Sequence, residues 1–417
     1  MSVLMDARTD VAVIGSGIVG LCCAHALQQQ GERVLLIDAS GPGAAASFGN
    51  AGSISVGNLM PQATPGILGK AVRMLFDPLA PLKLDWSRLP SYSTWLLRFL
   101  LASRRKTLLP IIDALHTINH ASRASWLQLA EAIGANDLLA HSGYLHVYSE
   151  PESFAEAAWE RELMQQRGVA FSVLDRHALH ELEPQIGADF SQAVFQHDAL
   201  AMRDPAGFCQ RLADALQQRG VAYQRATVTA LTRVGNSYRL DTDHGRIHAA
   251  RIVIAAGAWS NRLLRAFDLR VPLIPARGYH LMFAPPPAPV VHRPTLWAER
   301  YMVISPMQHG IRMTSIKELT ALDGEPHYQR IRRLLPEARK LFPLLPADYQ
   351  AEWSGYRPCT PDSLPIIDQV PNEQIFLAFG HGHLGLTQAP ITGQWIAQRM
   401  SGAKTGIDLA PYRWNRF

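Results

Sequence analysis

The stretch Val11–Asp38, VAVIGSGIVGLCCAHALQQQGERVLLID, contains two apolar segments separated by a glycine-rich turn and a helical pattern. Gly15, Gly17 and Gly20 follow the first apolar segment with GxGxxG spacing. Glycines at this spacing let the backbone approach a pyrophosphate, whose charge then lies at the positive N-terminus of a helix. The stretch therefore predicts a central parallel strand, a dinucleotide-binding turn, a helix and a second strand.

Asp38 ends the second predicted strand, where dinucleotide-binding proteins carry an acid. A carboxylate there can accept hydrogen bonds from a ribose diol, which suits an adenosine without a 2′-phosphate. The spacing, the flanking strands and the acid together favour a nucleotide site over an ordinary glycine-rich turn. NAD and FAD both remain open on this stretch alone.

The composition is typical of a globular chain with a large core. The 417 residues are 47% hydrophobic and 18% charged, and this length predicts two domains. Lys and Arg outnumber Asp and Glu by 40 to 35 without a long basic run. This balance gives little support to nucleic-acid binding, whereas a positive site for anionic substrates fits it.

The cysteines and the N-terminus bear on the cellular compartment. The four cysteines form no CxxC pair, and the first residues show no charged leader followed by an apolar core. No apolar run reaches the length of about 18 residues that a transmembrane helix needs. We therefore expect a reducing, cytoplasmic location.

The segment Trp95–Lys106, WLLRFLLASRRK, places aromatic and leucine residues directly before three cations. One interpretation is an amphipathic helix packed on the core. The other is a helix that lies on a membrane surface, because apolar residues flanked by Arg and Lys suit the lipid interface. The second interpretation predicts peripheral contact with the inner face of the plasma membrane.

A second glycine turn lies near the C-terminus, in FLAFGHGHLGLTQAPITG. Gly380, Gly382 and Gly385 stand between a predicted strand and a helix that begins near Leu384. The N-terminus of this helix would stabilise a group that gains negative charge, as a reduced flavin does around N1 and the C2 carbonyl. Because the chain has no second complete GxGxxG for a pyridine nucleotide, this turn favours FAD over NAD.

Six motifs together carry a resemblance to a known family. They are, in chain order, VAVIGSGIVG, ASFGNAG, VIAAGAWS, PARGYHLMF, WSGYRPCTPDSLPII and GHGHLGLT. The chain resembles, over nearly its whole length, the FAD-dependent family of D-amino acid oxidase, glycine oxidase and bacterial D-amino acid dehydrogenase. It is most similar to the dehydrogenase branch.

The resemblance implies an α/β fold with two domains. A Rossmann-like FAD-binding domain would be built from the discontinuous segments 1–65, 190–272 and 350–417. A substrate domain, with a mixed β-sheet and helices over the flavin, would comprise residues 66–189 and 273–349.

The motifs and the resemblance also assign a set of positions to FAD. These positions lie in the two glycine turns, in the loop after the second strand and in the small-residue turn of VIAAGAWS, except for Val228, which lies in the extended stretch VAYQRATVTAL. The assigned residues are Gly15, Gly17, Ile18, Val19, Gly20, Asp38, Ala39, Ser47, Asn50, Ala51, Gly52, Val228, Ala256, Gly257, Gly382, His383, Leu384, Gly385, Leu386 and Thr387.

The FAD is expected to be non-covalent. Cys359 might suggest a flavin link like that of the sarcosine oxidases. In the pattern of that subfamily, however, the linking cysteine corresponds to Gly355 of this chain.

Four residues are predicted to form the catalytic set. The resemblance implies that Arg357, in GYRP, binds the substrate carboxylate, and a planar guanidinium pairs bidentately with a carboxylate. Tyr301 matches a family tyrosine whose hydroxyl would help to hold the substrate. His280 and His383 stand where the dehydrogenase branch usually has smaller residues, and we expect both to shape the pocket.

The expected reaction is FAD-dependent dehydrogenation of D-amino acids, with hydride transfer from Cα to flavin N5. Electrons would pass to a quinone or another acceptor. The two histidines favour cyclic substrates such as D-proline or cis-4-hydroxy-D-proline.

Three alternatives stay open. The chain could be the flavin subunit of a hetero-oligomeric opine or hydroxyproline dehydrogenase, or a sarcosine- or glycine-type oxidase. It could also be a non-catalytic FAD-binding protein, although Arg357 argues against that. A homo-oligomer and a hetero-oligomer are both compatible with the sequence.

Overall fold

The structure is a computed structural model that describes residues 7–77, 79–322 and 324–417. Its strands are β1 (Ala7–Ile14), β2 (Val34–Asp38), β3 (Ser53–Ile54), β4 (Leu82–Leu84), β5 (Leu139–Ala140), β6 (Tyr144–Tyr148), β7 (Phe171–Leu174), β8 (Gln192–Gln196), β9 (Leu200–Met202), β10 (Ala222–Arg225), β11 (Val228–Val234), β12 (Ser237–Thr242), β13 (Gly245–Ile254), β14 (Ile274–Phe283), β15 (Thr295–Trp297), β16 (Met302–Met307), β17 (Gly310–Leu319), β18 (Tyr349–Cys359), β19 (Ile366–Gln369) and β20 (Ile375–Phe379). Its α-helices are α1 (Ile18–Gln29), α2 (Ile67–Phe76), α3 (Leu89–Ala102), α4 (Arg105–Ala132), α5 (Pro151–Glu156), α6 (Ala158–Gln166), α7 (Arg176–Leu182), α8 (Pro205–Gln218), α9 (Ser260–Leu264), α10 (Gln329–Arg332), α11 (Leu335–Leu341) and α12 (Gly385–Ser401).

The first sheet has the strand order β10-β2-β1-β13-β12-β11, and β20 and β19 continue it from β13. β1 lies at its centre and pairs in parallel with both β2 and β13. Alternate side chains of β1 enter separate cores, Val11 and Val13 on one face and Ala12 and Ile14 on the other. This two-sided burial explains why the strand is apolar at every position from Val11 to Ile14.

The second sheet has the order β18-β14-β17-β16-β15-β6-β8-β7, and β4 pairs with β17. Its long strands β14, β17 and β18 pair antiparallel. A small third sheet, β3-β9-β5, lies apart from both. Residues from the first and second sheets line one shared cavity, so the functional site lies where the two sheets meet.

The stretch that opens the chain forms the elements that its pattern predicts. β1, the turn at Gly15–Gly17, α1 and β2 follow one another in the predicted order. The second glycine turn likewise lies between β20 and α12. Two strands next to the predicted domain boundaries, β8 and β18, both pair in the second sheet.

The segment Trp95–Lys106 is not one helix. α3 ends at Ala102, and α4 begins after Arg104, whose backbone is extended. The Thr107 hydroxyl donates to the carbonyls of Leu101 and Ala102, at 3.0 and 3.1 Å, and so satisfies the end of α3. Within the ranges given above, no helix has both the length and the apolar character needed to cross a bilayer.

Candidate active site

A cavity of about 1660 Å³ lies between the two sheets. It extends from the N-terminus of α1 to the N-terminus of α12, and strands β14, β17 and β18 also contribute to its wall. The two glycine turns, far apart in sequence, therefore open into the same space. Such a space suits a ligand with a phosphate group at one helix and a second polar group at the other.

The three glycines of the first turn have different roles. A Cβ on Gly15 would lie 2.4 Å from the Ala255 carbonyl oxygen, and one on Gly20 would lie 1.8 Å from the Gly15 oxygen. A Cβ on Gly17 would find no protein atom nearer than Ser47 Oγ, at 3.5 Å. Gly17 lines the cavity. The absence of a side chain at Gly17 therefore leaves space for a ligand, whereas Gly15 and Gly20 allow close backbone packing.

Asp38 holds the loops that border this end of the cavity. One carboxylate oxygen accepts from the Ser16 N–H at 2.7 Å, and the other accepts from the N–H groups of Ser40 and Gly41 at 2.7 and 3.0 Å. Asp38 also lines the cavity, and a carboxylate has lone pairs beyond these three bonds. It can therefore position the turn and still accept from a ribose hydroxyl.

The predicted FAD positions converge on this cavity. All of them line it except Gly20 and Gly52. Gly52 instead packs on β9, where its carbonyl accepts from the Met202 N–H at 2.6 Å and a Cβ would lie 2.4 Å from the Met202 oxygen. The residues that line the cavity therefore fit FAD, whereas Gly20 and Gly52 allow close backbone packing.

Arg312 supports the loop that carries several of these positions. Its Nη1 donates to the carbonyls of Phe48 and Asn50, at 2.9 and 2.7 Å. Burial lowers the pKa of Arg312 to about 10, and Asp204 opposes this shift. Sequence reasoning missed this residue, because no local pattern shows that β17 passes beneath the loop.

The N-terminus of α12 forms the other end of the site. The Gly382 N–H donates to the Pro358 carbonyl at 2.9 Å, and Thr387 Oγ1 accepts from the Ser55 N–H at 3.0 Å. These bonds hold the turn against β18 and against the loop after β3. The positive end of a 17-residue helix therefore faces the cavity, where it would stabilise negative charge on a flavin.

The cysteines agree with non-covalent cofactor binding. All four lie within the described residues, all are buried, and none lines the cavity. Gly355 does line it, and a Cβ there would lie 2.2 Å from the Trp353 ring.

Arg357 reaches the cavity by crossing a neighbouring strand. Its guanidinium passes over Gly278 of β14, where a Cβ would lie 2.4 Å from Arg357 Cζ. Arg357 Nη1 then donates to the Ile316 carbonyl of β17 at 3.0 Å. Ile316 has a φ of +66°, which is strained for a β-branched residue. The strained backbone of Ile316 and the absence of a side chain at Gly278 together hold the Arg357 guanidinium in this position.

A chain of polar side chains lies beside Arg357. Lys317 Nζ donates to Gln62 Oε1, and Gln62 Nε2 lies 3.0 Å from His383 Nδ1. Since Gln62 Nε2 is a donor, His383 Nδ1 accepts from it, and His383 Nε2 faces the Asn58 side-chain amide at 3.4 Å. Burial lowers the pKa of His383 to about 3, and Arg357 and Lys317 lower it as well. His383 is therefore a neutral hydrogen-bonding group.

Lys317 and Gln62 were missed by sequence reasoning. Both line the cavity, but neither belongs to a motif that the sequence marks. Lys317 is the eighth residue of β17, and only the pairing of β17 with β4 and β14 turns it towards Gln62.

Tyr301 and His280 occupy different surroundings. Tyr301 lines the cavity and has a φ of +45°. His280 lies behind Trp353, with its ring stacked at 5.2 Å from that indole and at 6.2 Å from Phe48, and it does not line the cavity. Burial lowers the pKa of His280 to about 3. Trp353, rather than His280, forms the wall at this point.

Comparisons with known proteins agree with this geometry. A family model described as FAD dependent oxidoreductase matches residues 10–399. A D-amino-acid oxidase of Bradyrhizobium diazoefficiens is 35% identical over 98% of both chains, and a D-amino acid dehydrogenase of Paramagnetospirillum magneticum is 32% identical over 98% of both. The fold is similar to that of glycine oxidase from Geobacillus kaustophilus, with a TM-score of 0.80, 22% identity and 99% of each chain covered.

We predict that Gly17→Val abolishes retention of FAD while the protein stays folded, because the side chain would enter the cavity next to the pyrophosphate. The absorbance at 450 nm of the purified protein and its circular dichroism measure the two effects. Gly20→Ala is the matched control, since its Cβ would meet the Gly15 carbonyl and should destabilise the fold itself. A yellow, folded Gly17→Val protein would contradict the assignment.

We predict that Gly278→Ala weakens substrate binding without loss of FAD. The added methyl group displaces the Arg357 guanidinium from its path across β14. The expected result is a KM higher by about tenfold or more, since a misplaced charged group loses much of its pairing energy. Steady-state kinetics and flavin content give the measurement, and an unchanged KM would show that the guanidinium needs no passage over Gly278.

Proposed function

The chain belongs to the family of FAD-dependent oxidoreductases, and on that basis we propose that it dehydrogenates D-amino acids. It is an FAD-dependent amine or amino acid oxidoreductase, as its family and its relatives over nearly the full chain establish. The relatives named D-amino-acid oxidase and D-amino acid dehydrogenase support the D-amino acid class. The chemistry that bound FAD supplies here is acceptance of the Cα hydrogen as hydride at flavin N5.

The observation that carries the proposal is the unpaired guanidinium of Arg357. It lines the cavity, and in the described ranges no carboxylate lies within 4.0 Å of it. Burial lowers the pKa of Arg357, so an anion is needed to stabilise its charge. A substrate carboxylate provides that anion and would be oriented by the two parallel N–H groups of the guanidinium.

The other residues of the site position the substrate and support charge transfer. Hydride can leave Cα only when the amine is neutral, and His383, itself neutral, can accept or donate a hydrogen bond without adding charge. The N-terminus of α12 would stabilise negative charge on a bound, reduced flavin. The remaining contribution to catalysis is the orientation of the substrate by Arg357, because a well-oriented hydride donor needs no side-chain base at Cα.

The identity of the substrate side chain and the choice between the alternative functions are separate questions. The predicted preference for cyclic D-amino acids depended on two imidazoles, of which only His383 lines the cavity. A sarcosine- or glycine-type oxidase would hold the same carboxylate on Arg357, and a flavin subunit would act only with a partner chain. Assays on the single chain distinguish these possibilities.

An exposed apolar surface supports a lipid-soluble acceptor. Leu68 and Phe76 of α2 and Leu97 and Leu101 of α3 are exposed, and both helices also line the cavity. Three cations, Arg104–Lys106, follow α3. Apolar side chains beside cations suit the surface of an anionic bilayer, where quinones reside. We therefore propose peripheral membrane contact and a quinone as the electron acceptor.

The function is tested by anaerobic bleaching of the 450 nm flavin band with a panel of D- and L-amino acids, D-proline, cis-4-hydroxy-D-proline and sarcosine. We expect D-amino acids to bleach the single chain. Arg357→Ala should lower kcat/KM by about 10²–10⁴ with normal FAD content, because it removes one partner of a buried charge pair. Arg357→Lys keeps the charge but loses the bidentate geometry and should be affected less. Bleaching by L-amino acids alone would contradict the proposal.

The acceptor proposal predicts that a soluble quinone reoxidises the enzyme faster than O₂ does. It also predicts that Leu97→Glu weakens co-sedimentation with vesicles of phosphatidylglycerol and phosphatidylcholine. Leu344→Glu is the matched control, since both leucines are 59% exposed and Leu344 lies outside α2 and α3. Equal binding by both variants would contradict membrane contact, and faster reaction with O₂ would contradict the quinone.

A further inference from the structure

Two half-buried cations of the cavity wall lack an acidic partner, whereas a single substrate carboxylate needs one cation. Arg357 and Lys317 both line it, and each lies on a strand of the second sheet. Among the described residues, no Asp or Glu oxygen comes within 4.0 Å of either side chain. The partners of Lys317 are the neutral Gln62 oxygen and the face of the Trp95 ring, 5.9 Å away.

Two neighbouring cations without an anion are costly to bury. Removal from water penalises each charged form, and like charges in a low-dielectric site repel each other. Both effects act on Lys317, because burial lowers its pKa and the Arg357 charge lowers it further, while Cys359 opposes the shift. One carboxylate on Arg357 would leave Lys317 without a counter-charge.

Six acids line the cavity, namely Asp38, Glu150, Glu152, Glu156, Glu160 and Glu299, and within the described ranges none has an oxygen within 4.0 Å of the Lys317 or Arg357 side chain. Asp38 accepts from three backbone N–H groups of the loops near α1. Glu299 accepts from the N–H groups of Ser149 and Glu150, both at 3.1 Å. Neither acid forms an ion pair with Lys317 or Arg357. An anionic group of the ligand can therefore supply the negative charge that neither cation finds among these acids.

Lys317 is also held in place as a binding group. Gln62 Oε1 accepts a hydrogen bond from Lys317 Nζ, and the Gln62 backbone N–H donates to Ser363 Oγ at 3.0 Å. The Gln62 amide is fixed from the other side by His383. A lysine whose amine is oriented by an anchored amide loses less entropy when it binds a ligand than a free surface lysine does.

We propose that Lys317 binds a second anionic group of the substrate, so that the preferred substrates are D-amino acids with an acidic side chain. This inference rests on the proposed function, in which Arg357 takes the α-carboxylate. It assigns Lys317 a role in specificity and Gln62 a role in positioning. It replaces the cyclic preference predicted from the sequence, which depended on two imidazoles, of which only His383 lines the cavity.

The test compares isosteric pairs, D-glutamate with D-glutamine and D-aspartate with D-asparagine. We expect kcat/KM of the wild type to favour the acid by about tenfold or more in at least one pair. Lys317→Met should lower that ratio by about 30-fold or more, because it removes one partner of a buried charge pair. Lys317→Arg, which keeps the charge, should retain part of the preference.

Lys83→Met is the matched control. Lys83 is on β4, beside β17, and does not line the cavity, so its substitution should leave the acid-to-amide ratio unchanged. A ratio near one in the wild type, or a ratio that Lys317→Met does not change, would overturn the inference. D-proline as the best substrate would overturn it too.

A binding measurement separates this inference from the proposed function. Glutarate and butyrate are titrated into the FAD-loaded protein, and the shift of the flavin spectrum gives the two Kd values without turnover. Tighter binding of glutarate by about tenfold or more supports the second anion site even if no D-amino acid is oxidised. Equal affinities would overturn it even if D-amino acids are good substrates. This comparison needs only the wild type, so it does not depend on whether a Lys317 variant folds.

Discussion

The contact between α1 and α12 is the constraint on which the site depends. A Cβ on Gly393 of α12 would lie 2.4 Å from the Cys22 carbonyl oxygen of α1, so the two helix backbones touch. This contact brings the N-termini of both helices to one cavity, although their glycine turns lie at opposite ends of the chain. Two positive helix ends then face the same ligand, which suits a cofactor with a pyrophosphate at one end and a flavin at the other.

The second sheet places the cationic side chains of Arg357 and Lys317 in the wall of the cavity. Gly278 gives Arg357 a path across β14, and the strained Ile316 turns its carbonyl to receive the guanidinium. Lys317, the next residue on β17, carries the second charge. Strain of this kind persists only where the surrounding structure imposes it, and here the pairing of β14 with β17 shifts register between Arg277 and Tyr279, so that Ile316 and Lys317 lie opposite Gly278.

These two features divide the chemistry of the protein. The first sheet, its helices and their loops carry the twenty positions predicted for the cofactor, of which eleven are glycine, alanine or serine. The second sheet carries Arg357 and Lys317, for which we propose contacts with the substrate. Under this proposal the two sheets have separate roles, and substitutions on the strands of the second sheet could change the substrate without changing the cofactor.

The family resemblance implied the carboxylate-binding role of Arg357, which stays a prediction. The sequence by itself determined the nucleotide-binding unit and the second glycine turn. These depend on local spacing, because strand, turn and helix must follow one another within one short stretch. Only the tertiary structure decided that Gly20 and Gly52 serve packing, that His280 lies behind Trp353, and that Lys317 and Gln62 meet His383. The physical reason is that residues far apart in sequence come together through strand pairing and helix packing. No local sequence pattern shows which of them will surround the same charged group.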